Sequence, residues 1–122
     1  MSTNKRTLKK EIRLICGALA GECVITKITV PGVNAEALNE IIYDIADLQT
    51  NALRMVNITF PRSESSFDSH KEYADEKHRY FHAAFRKLKA DFNNHVEKII
   101  KAMNAMLPQE QKDANRKEAA KK

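Results

Sequence analysis

The sequence predicts an all-α fold, an up-down-up bundle of three helices with a long third helix. Three observations predict it. Apolar residues recur at three- and four-residue spacing over three long segments. Two breaks, each carrying a proline, separate those segments. Gly and Pro number only three each, which leaves too few turns for a sandwich or barrel. At 122 residues the chain has room for one domain with one modest core. We expect residues 1–107 to form that domain and residues 108–122 to be a flexible charged tail without apolar periodicity.

The first segment covers residues 3–30. Leu8, Ile12, Ile15, Leu19 and Cys23 form a helical stripe. Leu14, Ala18 and Ile25 widen it and predict a well-buried middle. Gly17 and Gly21 stand one turn apart, and each costs ~1 kcal/mol against Ala in a helix interior. Close approach of a neighbouring helix is one physical use for them. The β-branched run "CVITKITV" gives residues 23–30 a strand alternative.

The break "VPGVN" supplies a Pro31-Gly32 turn, and Asn34 is a good N-cap for the second helix. That helix is expected over residues 35–58. Leu38, Ile41, Ile45, Leu48, Ala52 and Met55 keep the alternation, and Ile42, Leu53 and Val56 broaden it. In the break "FPRSESSFDS", Pro61 stops the helix, and the serines with Asp68 offer caps for the next. The third helix is expected over residues 66–107, starting at Ser66 or Ser69. Its seam is Ala74, Phe81, Phe85, Leu88, Phe92, Ile99, Met103 and Met106, and His78 and His95 fill the two remaining seam positions. Some forty residues span roughly 60 Å, against about 36 Å for the second helix. One helix must therefore project, bend, or find cover from another chain.

The net charge is +5, from 21 basic and 16 acidic residues. It is uneven. Residues 1–33 carry six basic and two acidic groups, residues 34–60 one and four, and residues 61–122 fourteen and ten. The first two helices thus differ in sign, though exposed pairs add little each. Cys16 and Cys23 lie two turns apart on one face, roughly 10 Å along the axis. That is too far for a disulfide within a regular helix, and the spacing matches no standard metal site. They read as reduced, packed thiols of a cytoplasmic protein. The apolar run from Leu14 to Gly17 is too short for a signal peptide, and no run approaches the ~18 apolar residues of a membrane span.

The stretch "DEKHRYFHAAFRKL" looks most like a site. Asp75, His78 and His82 share one flank of the helix, and His residues at i and i+4 can ligate one ion. These three are candidate metal ligands. The set stays short of a fourth ligand, and the paired Glu-x-x-His motifs of di-iron bundles are missing. The bland reading is a helix face, with His78 in the seam bonding across to another helix and His70 and His82 at the surface. No Gly-rich phosphate loop and no nucleophile–histidine pattern is visible, so neither catalysis nor a cofactor is expected.

Two function classes then compete. In the favoured one the chain is a small non-catalytic interaction or structural module that self-associates, most simply as a dimer, or binds another protein. Phe85, Phe92, Val96, Ile99, Met103 and Met106 are its expected core or subunit contact. The rival is a nucleic-acid-binding bundle that uses Lys5, Arg6, Lys9, Lys10, Arg86, Lys87 and Lys89 on phosphates. No recognition motif supports the rival. No short motif is specific enough to carry a family name.

Overall fold

The computed structural model describes residues 4–107, so the C-terminal tail lies outside the described residues. Three helices carry the fold: α1 (Lys5–Thr29), α2 (Ala35–Val56) and α3 (His70–Ala105). A short 3-10 turn, Glu64–Ser66, sits between the last two. No strand occurs among the described residues. The run after Cys23 stays helical to Thr29, so the strand alternative falls away.

Side chains start each helix where the sequence offers them. Asn4 Oδ1 accepts from the Arg6 N–H at 2.8 Å and Asn34 Oδ1 from the Ala37 N–H at 3.1 Å. Ser69 Oγ accepts from the Glu72 N–H at 3.1 Å. Each bond satisfies an N-terminal donor that the helix itself leaves open. Gly32 turns the chain between α1 and α2 with φ +77°, a conformation that favours glycine. Lys27 then ties the two helices together, its Nζ donating to Asn39 Oδ1 at 3.0 Å.

Helix α2 is the centre of the bundle, with its backbone close to both α1 and α3. The core repeats every seven residues: Cys16 and Cys23 on α1, Leu38, Ile45 and Ala52 on α2, and Phe85, Phe92 and Ile99 on α3 are all buried. That period keeps one seam facing its neighbours along a slightly coiled bundle. Leu8 and Ile12, with Leu48 and Val56, complete the core, and among the described residues no charged or polar side chain is buried in it.

The length mismatch is resolved inside the chain. Lys5, the first residue of α1, donates to the Ile58 carbonyl at 3.1 Å and sits 4.7 Å from the centre of the Phe81 ring. The first three turns of α3 therefore extend past the start of α1. The loop before α3 covers one side of this overhang. Phe60 packs on Phe67, Tyr73 and Tyr80 at ring-centre distances of 6.1, 5.8 and 5.4 Å. Arg62 lies over the Phe67 ring at 4.1 Å. In the C-terminal half of α3, expected to need a partner, Ile99 is buried, Met103 and Met106 are half-buried against the core of the same chain, and Ile100 is exposed.

Three expectations need correction. His78 and Ala74 are exposed, because α1 does not reach their level and the loop covers the Tyr73–Tyr80 side instead. Leu14, Ala18 and Ile25, expected in the buried stripe, are exposed on the outer side of α1, Leu14 at 71% and Ile25 at 56%. Gly17 and Gly21 meet no neighbouring helix among the described residues, since a Cβ at either would contact nothing within 4 Å.

Candidate functional site

A concavity runs between α2 and α3, with a volume of about 390 Å³. Leu48 and Ala52 of α2 and Leu88 and Phe92 of α3 line it, together with Met55 near the C-terminal end of α2 and Ile58 just after it. Two of its lining residues are small. Ala52 and Ala84 both line the groove, and their methyl groups leave space that larger side chains would fill. The lining is therefore apolar, and Met55 is left 57% exposed. The sequence spacing sets Met55 in the core seam, but Val56 takes that position and is fully covered.

A polar rim borders the groove. Lys87, Asp91 and His95 follow one another at four-residue spacing, which sets them along one ridge of α3. Asn51 stands on the α2 side. His95 Nε2 lies 3.2 Å from Asp44 Oδ2, so one histidine does bond across to another helix. Among the described residues neither Lys87 nor Asp91 forms an ion pair. An apolar floor with a few polar groups beside it can bind and orient a ligand. It holds no nucleophile with an adjacent base.

The other predicted residues fall in different places. Asp75, His78 and His82 are all exposed. The two imidazoles stack with ring centres 6.3 Å apart. Among the described residues no group of three or more His, Cys, Asp and Glu comes together as a metal site. His70 Nδ1 contacts Glu64 Oε1 at 2.6 Å across the loop, at the surface as expected. Both cysteines are free and buried. Burial pushes their pKa values up, and the charge of Glu22 adds to the effect at Cys23.

Of the expected contact residues, Phe85, Phe92 and Ile99 are buried within the single chain. Val96, Met103 and Met106 are half-buried against the same core. The basic candidates differ in exposure. Lys5 is held by Ile58 and Phe81, and Lys9 and Lys89 are half-buried. Arg6, Lys10 and Arg86 are exposed, and Lys87 belongs to the groove rim.

The groove is partly legible in the sequence, because Leu48, Leu88 and Phe92 all stand in predicted seams. The space beside Ala52 and Ala84 is not: spacing marks Ala52 as apolar without saying what faces it, and Ala84 stands outside the predicted seam of α3. Among the described residues no helix is long and apolar enough to cross a membrane. No protein-family model, curated protein or solved structure matches this chain.

Proposed function

We propose that this protein is a non-catalytic, cytoplasmic interaction module whose α2–α3 groove receives one amphipathic helix of a partner protein. The observation that carries this reading is the groove itself: an apolar trough between two neighbouring helices, with Lys87 and Asp91, which form no ion pair among the described residues, along one edge. Two packed helices with a trough between them accept a third by the same ridge-and-groove packing that built the pair. The rim gives the partner a charge pattern. An acidic side chain meets Lys87, a basic one meets Asp91, and apolar side chains at three- and four-residue spacing fill the floor. The two reduced thiols fit a reducing compartment. Phe85, Phe92 and Ile99 are covered inside one chain, so a dimer of intact bundles would pair through another surface.

A displayed library of helical peptides tests this reading. The expected result is enrichment of peptides with apolar anchors at helical spacing, whose binding is lost in Leu88→Glu and weakened in Lys87→Glu. If the enriched peptides bind Leu88→Glu as well as the natural chain, the groove is not the docking site. A mixed-sequence oligonucleotide is the second probe. Binding that falls steeply with salt and disappears in Arg86→Glu would replace this reading with nucleic-acid recognition.

A further inference from the structure

Helix α1 is apolar on two sides. Its inner side forms the core. Its outer side carries Leu14, Gly17, Ala18, Gly21, Val24, Ile25 and Ile28, with no charge among them. Leu14 and Ile28 are 71% and 77% exposed, and Val24 and Ile25 are about half exposed. Leu14, Gly17, Gly21, Val24 and Ile28 also repeat at three- and four-residue steps, the spacing of a helix–helix seam. A helix with so much apolar surface is normally a buried one, yet Leu14, Val24 and Ile28 stand exposed here, and Ile25, at the edge of this side, borders a cleft shared with Met103 and Leu107 of the third segment.

We infer that the outer face of α1 pairs with α1 of a second copy, antiparallel, with the two-fold axis at Gly21. Shape and charge both select this occupant. About that axis, Leu14 meets Ile28 of the second copy, Gly17 meets its Ile25, and Ala18 meets its Val24. Each large side chain thus faces either an equal at the ends or a small residue near the middle. At the crossing Gly21 meets Gly21, and the open space where each Cβ would stand lets the backbones come close.

Charge fixes the direction. Arg6, Lys10 and Arg13 are exposed at the front of this same face, and the outer stripe behind them is uncharged. Antiparallel pairing sets Arg13 beside the last turn of the other α1, the negative end of its helix dipole. Parallel pairing would set the three cations against their own copies. The stripe runs about 21 Å, which places the contact at the small, weak end of interface sizes. The dimer therefore forms with rising concentration. Its surface is separate from the α2–α3 groove, so either assignment can fail without the other.

Molar mass by light scattering across a concentration series tests the pairing, alongside three variants. The natural chain is expected to rise from 13.9 kDa towards twice that mass. Gly21→Leu should stay at the mass of one chain while its melting temperature does not fall, because the added side chain meets nothing within the described chain. Under a mild oxidant, Gly21→Cys should crosslink to a dimer, since a disulfide needs Cα atoms within about 7 Å. Leu14→Cys alone should crosslink far more slowly. The inference is overturned if the natural chain keeps the mass of one chain at its highest soluble concentration. It is equally overturned if Gly21→Leu associates like the natural chain. Self-crosslinking of Leu14→Cys as fast as Gly21→Cys would mean the helices run parallel, against the proposal.

Discussion

Cys16 and Cys23 behave as small apolar side chains. They sit seven residues apart in the α1 seam, both at 1% exposure or less. Removal from water disfavours the thiolate, and the thiolate is the reactive form. Burial, with the Glu22 charge added at Cys23, raises both pKa values. A thiol reagent at neutral pH should therefore modify the folded chain slowly and the denatured chain at once. Fast modification of the native protein would show that α1 is not held against the core. The same shift has a sign for stability. Below the ordinary thiol value of about 8.5, both states keep the protons and nothing changes. Above it the unfolded chain releases protons that the folded chain retains, so stability falls as pH rises. Chemical denaturation at increasing pH should show this fall, and it should shrink in the double variant Cys16→Ala, Cys23→Ala.

At the scale of the element, the overhanging start of α3 is the segment held least by the bundle. Its cover is the loop cluster of Phe60, Phe67, Tyr73 and Tyr80. A single aromatic pair adds about 0.5–1.5 kcal/mol beyond the area it buries. Phe60 touches all three others, so it is the hub. Phe60→Ala should speed amide exchange in the first three turns of α3 while the turns around Phe92 keep their protection. Uniform loss of protection along α3 would mean that the overhang and the bundle open together. The caps and the seven-residue core are readable from the sequence because they depend on neighbours along the chain: Asn34 and Ser69 start helices wherever the fold places them. The aromatic cluster is not, because Phe60 and Phe67 reach Tyr73 and Tyr80 only through the path of the loop. Periodicity marks Leu14 and Ile25 as apolar but cannot say which side of α1 the other helices cover. His78 keeps the seam spacing yet stands beyond the point where α1 begins.

At the scale of the whole molecule, the distinction that matters is between apolar surface already used in folding and apolar surface left over. The sevenfold-spaced phenylalanines of α3 belong to the first kind. Phe92 is 2% exposed and contributes to the floor of the α2–α3 groove. From the sequence alone Phe92→Asp reads as a substitution that separates subunits. From the structure it removes a central part of the core. Losing a buried Phe side chain costs about 3–5 kcal/mol, and the Asp carboxylate must in addition be desolvated or protonated. A domain of this size has only about 5–15 kcal/mol in hand. Phe92→Asp should therefore lose its helical circular-dichroism signal, whereas Phe92→Leu should remain folded with a lowered melting temperature. Gly21→Leu, on the unused outer face of α1, should do the opposite and change mass without loss of helix. If Phe92→Asp instead gave a folded single chain, Phe92 would be an interface residue after all. The covered seam of α3 would then have to open in the assembled protein, and the dimer would be placed on α3 instead of α1.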